Sequence, residues 1–208
     1  MEEHQVISVV GAGGKTTYIR NKAEEYLNKG YKVLITTTTH MAMTEIDCDS
    51  TLDEICRHLN ERNWSLAGQS VIHKGIKKMA GVEPQILEQA IPLADIVLIE
   101  ADGARKLPFK APKAWEPVIH PKTSRIVIMA GLAATKNPIR ECCYNWEDIC
   151  KLTGKTPMDF LTRDDMREVV KKSYLEKFQS TKYSIPMELC FIGEETGWNY
   201  EMEELCEK

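Results

Sequence analysis

The chain has 208 residues, of which 43% are hydrophobic and 28% are charged, and this balance is ordinary for a globular protein. Its formal net charge of −4 provides no general electrostatic footprint for binding nucleic acid. No apolar run approaches the roughly 20 residues that cross a bilayer, and the acidic start Met1-Glu2-Glu3-His4 is unlike a signal peptide. We therefore expect a single cytoplasmic domain over residues 1–208, with no binding to nucleic acid or membrane.

The seven cysteines are scattered through helix and strand patterns and are odd in number. The sequence has no Cys-x-x-Cys pairs, which are typical of zinc sites, and the adjacent pair Cys142-Cys143 is a poor substitute. We expect reduced and mostly buried thiols, as is usual in the cytoplasm. The cysteines are Cys48, Cys56, Cys142, Cys143, Cys150, Cys190 and Cys206.

The first quarter of the chain alternates strand and helix patterns. Residues 5–10 form a short β-branched apolar run that ends at glycines, which predicts a buried strand. Residues 15–29 carry apolar side chains at helical spacing, and residues 31–38 are rich in strand-forming side chains. Ser50 and Asp53 form a capping-box pattern that predicts the start of a second helix. The inward face of that helix is predicted to be Leu52, Ile55, Cys56 and Leu59.

The same alternation continues to the end of the chain. Residues 95–100, Asp-Ile-Val-Leu-Ile-Glu, are the clearest buried strand. The other predicted elements are a strand at 70–72, a helix at 84–91, a strand at 125–129, a helix from Asn145 to 152, a helix capped by Thr162 and Asp165, and a strand at 188–192. Such alternation predicts a mainly parallel sheet covered by helices on both faces, a three-layer α/β/α fold.

A glycine-rich segment lies between the first predicted strand and the first helix. It reads Val-Gly-Ala-Gly-Gly-Lys-Thr-Thr over residues 10–17. Glycines allow backbone N–H groups to surround a phosphate at the start of a helix, and Lys15 and Thr16 match the P-loop residues that reach phosphates and Mg²⁺. The first glycine of that signature falls on Val9 here. The loop nevertheless predicts a P-loop NTPase-like fold, with Gly11, Gly13, Gly14, Lys15 and Thr16 at the nucleotide.

A P-loop needs an acidic group at the end of a neighbouring buried strand, where it holds Mg²⁺ or its water. The run that ends in Glu100-Ala-Asp102-Gly103 provides two such groups, and either Glu100 or Asp102 fits this role. Glu-x-x-Gly also resembles the third motif of nucleotide-hydrolysing metallochaperones in which Glu replaces the usual Asp.

Four segments together resemble the YqeC family, the accessory proteins of selenium-dependent molybdenum hydroxylases, also described as selenium cofactor biosynthesis proteins. The resemblance is strongest over residues 5–130 and weaker over 131–208. The segments are Val-Gly-Ala-Gly-Gly-Lys-Thr-Thr (10–17), Thr-Thr-Thr-Thr-His (36–40), Val-Leu-Ile-Glu-Ala-Asp-Gly-Ala-Arg (97–105) and Leu-Pro-Phe-Lys-Ala-Pro-Lys-Ala-Trp-Glu-Pro-Val-Ile (107–119).

The resemblance implies a cytoplasmic nucleotide-binding protein that helps to mature a selenium- and molybdenum-containing enzyme. Its partners would be a nucleotide and either that molybdoenzyme or a cofactor-biosynthesis protein. The resemblance places the acidic site at Glu100 and Asp102. The last predicted strand is not followed by the guanine-reading Asn-Lys-x-Asp, so GTP is unsupported as the particular nucleotide. The expected cofactor is therefore ATP or GTP, with the base undetermined, together with Mg²⁺. The nucleotide contacts that it implies are Gly13, Gly14, Lys15, Thr16 and Thr17.

Three further residues are candidates for the site. His40 follows four threonines at the expected ligand-binding edge of the sheet, where it could bind substrate, orient water, contact a metal or make a structural hydrogen bond. Arg105 and Lys110 follow the acidic motif, where a cation could stabilise a transferring phosphoryl group or bind an anionic substrate. Trp115, in the proline-rich segment that follows, is either an exposed anchor or a core residue.

Two functional hypotheses follow for this chain. The leading one is a Mg²⁺-dependent NTP hydrolase or phosphoryl-transfer enzyme in which Lys15, Glu100, Asp102 and Arg105 are catalytic, and Thr16 with Glu100 or Asp102 holds the metal. The alternative is a nucleotide-dependent chaperone or switch that binds the target enzyme with little catalysis of its own. A P-loop ligase is a weaker third interpretation, because it would need an additional substrate domain.

Overall fold

The computed structural model describes residues 4–42, 47–73, 75–179, 185–193 and 200–205. The strands in these ranges are β1 (Gln5–Ala12), β2 (Val33–Thr37), β3 (His40–Ala42), β4 (Trp64–Leu66), β5 (Gln69–His73), β6 (Ile76–Ala80), β7 (Ile96–Glu100), β8 (Phe109–Lys110), β9 (Arg125–Gly131), β10 (Cys143–Tyr144), β11 (Met187–Ile192) and β12 (Tyr200–Glu204).

The helices lie between these strands or groups of strands. They are α1 (Lys15–Asn28), α2 (Leu52–Arg62), α3 (Pro84–Ala90), α4 (Ile139–Cys142), α5 (Trp146–Thr153), α6 (Arg163–Val170) and α7 (Glu176–Gln179). A 3₁₀ turn follows α3 at Ile91–Leu93, a second follows β9 at Leu132–Thr135, and a π-helical segment joins α6 to α7 at Lys171–Leu175. Within the described ranges, no helix is long and apolar enough to cross a membrane.

Seven strands form a central sheet in the order β12-β11-β9-β1-β7-β2-β4. The pairs β1–β7, β7–β2, β2–β4 and β9–β11 are parallel, and β12 runs antiparallel to β11. The sheet is therefore mainly parallel with flanking helices, which confirms the predicted three-layer α/β/α class. Strands buried on both faces need continuous apolar runs, and every residue of β7 is buried.

The chain divides into two compact units, and the described residues of the first lie within Met1–Val9, Thr16–Asp102 and Val118–Ser124. Here Val6 pairs with Val97 and Leu34 with Val97 in the parallel register. A separate antiparallel sheet has the order β3-β6-β5. Its strands have three to five residues, and a pattern this short carries little periodicity, so the sequence indicated only residues 70–72.

The start of α2 differs from the prediction by one residue. Thr51, not Ser50, is the N-cap, and its side chain accepts a hydrogen bond from the Glu54 amide while the Glu54 carboxylate accepts from Thr51. Ser50-x-x-Asp53 and Thr51-x-x-Glu54 both satisfy the capping-box pattern. The Thr51–Glu54 capping box forms because the longer glutamate side chain also accepts a hydrogen bond from the amide of Ser50.

The second unit has its described residues within Val10–Lys15, Gly103–Pro117 and Arg125–Lys208. The buried residues of α6 and of the π-helical segment include Met166, Val169, Val170 and Tyr174. The capping box of Thr162 and Asp165 is confirmed. Asn145 starts α5 in a left-handed conformation, and its side chain donates to Asp148 rather than capping a backbone amide.

Six of the seven cysteines lie in described parts of the chain, and Cys206 lies outside them. All six are thiols there, with no disulfide between them, which agrees with the expectation of reduced cysteines. Cys142, Cys143 and Cys190 are buried, and the other three are half-buried. The expectation of one domain over residues 1–208 stays a prediction.

Candidate functional site

The glycine-rich segment connects β1 to α1, as the sequence predicted. Gly11, Gly13 and Gly14 all have positive φ, at 85°, 87° and 112°. A Cβ at Gly11 would lie 2.3 Å from the carbonyl oxygen of Met129, and a Cβ at Gly13 would lie 2.5 Å from that of Pro108. The loop therefore needs glycine both for its dihedrals and because neighbouring backbone packs against it.

Lys15 begins α1 and is 95% buried, with a relative exposure of 5%. Its ammonium group donates a hydrogen bond of 2.6 Å to the carbonyl oxygen of Gly11. The lysine side chain thus folds back over the loop that precedes it, and the positive charge stays at the loop instead of extending into solvent. Thr17 is the third residue of the same helix and is half-buried.

Thr16, the next residue of α1, lies against the end of β7. Its hydroxyl donates a hydrogen bond of 2.9 Å to Oε2 of Glu100, whose residue is only 6% exposed. Glu100 ends β7 and pairs with Val9 and Thr37 in the two neighbouring strands. The long-range register of the sheet thus brings one hydroxyl and one carboxylate oxygen together.

These two side chains fit a magnesium ion. Mg²⁺ prefers hard oxygen ligands, and it is usually held by one or two protein groups together with phosphate oxygens and water. Among the residues that the structure describes, no group of three or more His, Cys, Asp or Glu side chains could hold a metal by itself. A site of the Thr16–Glu100 kind does not need such a group, since a bound nucleotide supplies the remaining ligands.

Threonines at the end of β2 support this part of the first unit, a role that the sequence analysis missed. The Thr37 hydroxyl donates to the Glu100 carbonyl at 2.7 Å, and the Thr38 hydroxyl donates to the Val118 carbonyl at 2.8 Å. The backbone of Val118 in turn donates to Ala101 at 3.1 Å. The run of four threonines was the available signal, and two of its hydroxyls connect the end of β2 to the carbonyl groups of Glu100 and Val118.

Asp102 and Arg105 lie in the segment that follows β7. Asp102 is fully buried. Arg105 is exposed, and its guanidinium lies 4.9 Å from the centre of the Tyr144 ring. Arg105 and Lys106 are consecutive non-glycine residues with positive φ, at 49° and 63°, and such strain is concentrated at functional sites. This turn presents the arginine side chain at the surface.

Lys110 has a structural role in the segment 103–117. Its side chain is completely buried and pairs with the Glu116 carboxylate at 2.7 Å. The same ammonium group donates to the Gly103 carbonyl at 2.8 Å. Both ends of the segment therefore bind the same ammonium group. Trp115 lies between these ends and is 70% exposed. Trp115 is thus a surface residue and not part of the core.

His40 is exposed at the start of β3, where it pairs with Ala80 of the small antiparallel sheet. The hypothesis that this histidine contacts a ligand stays a prediction. The same holds for the assignment of Gly11, Gly13, Gly14, Lys15, Thr16 and Thr17 to nucleotide binding, and for the catalytic roles of Lys15, Glu100, Asp102 and Arg105.

Comparisons with known proteins agree on one family. Residues 7–147 match the family model described as YqeC protein. A relative from Escherichia coli (strain K12), named "Uncharacterized protein YqeC", is 35% identical over 173 residues, which are 80% of this chain and 67% of the relative. No solved structure shows significant similarity to the chain. The matched span includes the glycine-rich loop, the Thr16–Glu100 pair and the whole segment 103–117.

Proposed function

Because this chain belongs to the YqeC family, we propose that it is a Mg²⁺-dependent nucleotide-binding protein. Its activity would be NTP hydrolysis or phosphoryl transfer in the maturation of selenium-dependent molybdenum hydroxylases. The proposal depends above all on one observation, the 2.9 Å hydrogen bond between Thr16 and Glu100 directly after a glycine-rich strand-to-helix loop. P-loop proteins pair these chemical groups around Mg²⁺ at the β- and γ-phosphates.

The glycine-rich loop and the start of α1 would bind the phosphates and the metal. The loop amides and the positive end of α1 favour phosphate oxygens, and the Lys15 ammonium can exchange its bond with the Gly11 carbonyl for one with a phosphate. Thr16 and Glu100 would hold the metal, which supplies neutralisation of phosphate charge. Glu100 is preferred over Asp102 for this role because its carboxylate is the one that accepts from Thr16.

Two further residues would act on the transferred group. The Asp102 carboxylate, two residues after the metal ligand, would orient water or an acceptor hydroxyl. Arg105, presented at the surface by a strained turn, would reach the transferring phosphoryl group when a nucleotide is bound. The nucleotide would be ATP or GTP.

The alternative function is a nucleotide-dependent switch or chaperone for the target enzyme. The exposed Trp115 ring favours it, because exposed aromatic side chains serve as anchors in protein interfaces. Lys110 and Glu116 hold the segment around Trp115 in place, so the ring is presented on an ordered surface. Hydrolysis that accelerates only in the presence of the target enzyme would distinguish this function from that of an independent enzyme.

The test is a thermal-shift panel of ATP, GTP and CTP with Mg²⁺. A nucleotide at about 100 times its dissociation constant stabilises the fold by about 2.7 kcal/mol, which raises Tm by about 5–10 °C in a chain of this length. Lys15→Ala should abolish this shift. Lys22→Ala, which removes a half-buried lysine from the same helix, should retain it. A wild-type protein whose Tm does not respond to any nucleotide would refute the proposal.

The choice between the two acids has its own test. Thr16→Val and Glu100→Gln should each remove the Mg²⁺-dependent part of the nucleotide shift, whereas Asp102→Asn should preserve binding and reduce turnover. Each variant is compared with its own nucleotide-free Tm, so that a general loss of stability does not mimic a loss of binding. An Asp102→Asn protein that loses its metal dependence while Glu100→Gln keeps it would reverse the assignment.

A further inference from the structure

We propose that a cavity of about 340 Å³ in the second unit binds a small multivalent oxyanion, either a phosphate ester or a polycarboxylate. The site is separate from the nucleotide proposal, since none of the residues that line it belongs to the glycine-rich loop. It lies between residues 111–114, the helix α5, the π-helical segment and α7. Its anion would be a second ligand of the protein.

The charged residues that line the cavity are mostly positive, and this charge is the main support for an anion site. Four lysines and one aspartate line the cavity, which leaves a net charge of +3 on its wall: Lys113, Lys151, Lys172, Lys177 and Asp148. The lysines come from three separated stretches of the chain, at residues 113, 151 and 172–177, so the tertiary fold brings them to the same cavity. A surface lysine run along one helix would not produce such an arrangement.

Nearby carboxylates neutralise only part of this charge. Lys151 pairs with Asp148 at 2.9 Å, and Lys172 pairs with Glu168 at 2.6 Å. The ammonium group of Lys113 lies 5.0 Å and 5.5 Å from the centres of the Trp115 and Tyr144 rings. Ring faces attract a cation without cancelling its charge, and Lys113 therefore remains available to an anion.

Lys177 gives the cavity a fixed wall. Its ammonium group donates to the carbonyl oxygens of Ala114 at 2.8 Å and Lys113 at 3.3 Å, and also to that of Glu116. These bonds hold residues 113–116 against α7. Burial lowers the pKa of Lys177, although the Glu116 carboxylate opposes this, and an anion in the cavity would stabilise the charged form of the lysine.

The size and the side chains of the cavity favour a small organic anion. Its volume is at the lower end of the range for small-molecule sites, and Ala111, Pro112 and Leu152 add apolar wall for a carbon skeleton. Lysine ammonium groups act as point charges that donate hydrogen bonds to phosphate or carboxylate oxygens in several directions. The overall net charge of −4 makes a nucleic acid a poor occupant.

The experiment uses the full chain labelled with ¹⁵N, titrated separately with inorganic pyrophosphate and with citrate. We expect saturable shifts of the backbone amides of Lys113, Lys151 and Lys172 with at least one probe, and the probe that saturates them distinguishes phosphate from carboxylate chemistry. Shifts confined to residues 11–17 would show binding at the phosphate loop alone and would overturn this proposal while supporting the nucleotide site. Amide shifts that do not saturate at the cavity or at residues 11–17 with up to about 10 mM ligand would also overturn the proposal, because even weak ligands bind with millimolar affinity.

Charge variants complete the test. Lys113→Gln with Lys172→Gln should weaken binding about tenfold, as expected for the loss of charged hydrogen bonds in a partly exposed site. Lys171→Gln is the matched control, because Lys171 is an exposed neighbour in the same π-helical segment but does not line the cavity. Equal weakening in the control would overturn the proposal by showing general charge attraction. If the double variant unfolds at a lower temperature, Lys113→Gln alone should still weaken binding severalfold.

Discussion

Replacing Gly13 by alanine tests whether the glycine-rich loop is held rigidly by neighbouring backbone. Gly13 has φ of +87°, and an alanine Cβ there would lie 2.5 Å from the Pro108 carbonyl oxygen and 2.6 Å from the Gly131 Cα. Gly30 offers a matched site, since its φ is +86° and nothing lies within 4 Å of an added Cβ. Both substitutions place an alanine at nearly the same left-handed φ. The difference between their effects on the free energy of unfolding therefore measures the steric cost of the Cβ at Gly13.

The magnitudes follow from these two geometries. A left-handed conformation costs an alanine about 1–2 kcal/mol, and this is the whole effect expected for Gly30→Ala. At Gly13 the contacts are with backbone atoms that cannot rotate away, and overpacking adds about 1–3 kcal/mol. We therefore expect Gly13→Ala to lower the free energy of unfolding by about 2–5 kcal/mol.

Urea unfolding followed by circular dichroism measures both values, provided that the slope with denaturant is unchanged between variants. Gly103→Ala serves as a second control, because an added Cβ meets open space and no positive φ is required; its effect should be within about 0.5 kcal/mol. Gly13→Ala should also lose the rise in Tm that the proposed nucleotide site predicts. Equal destabilisation by Gly13→Ala and Gly30→Ala would refute the reasoning, since it would mean that the backbone around Gly13 moves to accommodate the Cβ without further cost.

Two further predictions concern ion pairs. Lys110→Met leaves the Glu116 carboxylate without its buried partner and should cost about 3–5 kcal/mol in urea unfolding; Lys110→Met with Glu116→Gln should recover part of this, and no recovery would contradict a paired role. The pKa of Glu203 is lowered, mainly by its hydrogen bond with Arg167, so its folded-state pKa lies below the unfolded value. Its stabilising contribution is therefore present above the ordinary value of 4.5 and is lost as pH falls through the folded pKa. Glu203→Gln should flatten the decline of unfolding free energy below pH 4.5, and a decline as steep as in the wild type would contradict this prediction.

Local sequence patterns predicted the elements whose structure depends on neighbours in the chain. Residues 96–99 form a run of apolar side chains that is typical of a strand buried on both faces, and the structure has β7 there. The glycines before Lys15 predicted a strand-to-helix loop, because left-handed dihedrals favour glycine wherever they occur. Thr162 and Asp165 predicted the start of α6 for the same local reason, since a capping box is completed within four residues.

The tertiary structure decided everything that depends on residues far apart in the sequence. Glu100 and Asp102 were equivalent in the sequence, and only the pairing of β7 with its neighbours brings Glu100 to the Thr16 hydroxyl across 84 positions. The choice of Thr51 over Ser50 as a cap depended on side-chain reach, which two overlapping motifs could not distinguish. No sequence pattern indicated that Lys110 would be buried against Glu116, or that four lysines would converge on one cavity. The sequence by itself thus determined the kind of loop and the class of sheet through local backbone preferences, whereas long-range packing decided which charged side chains meet.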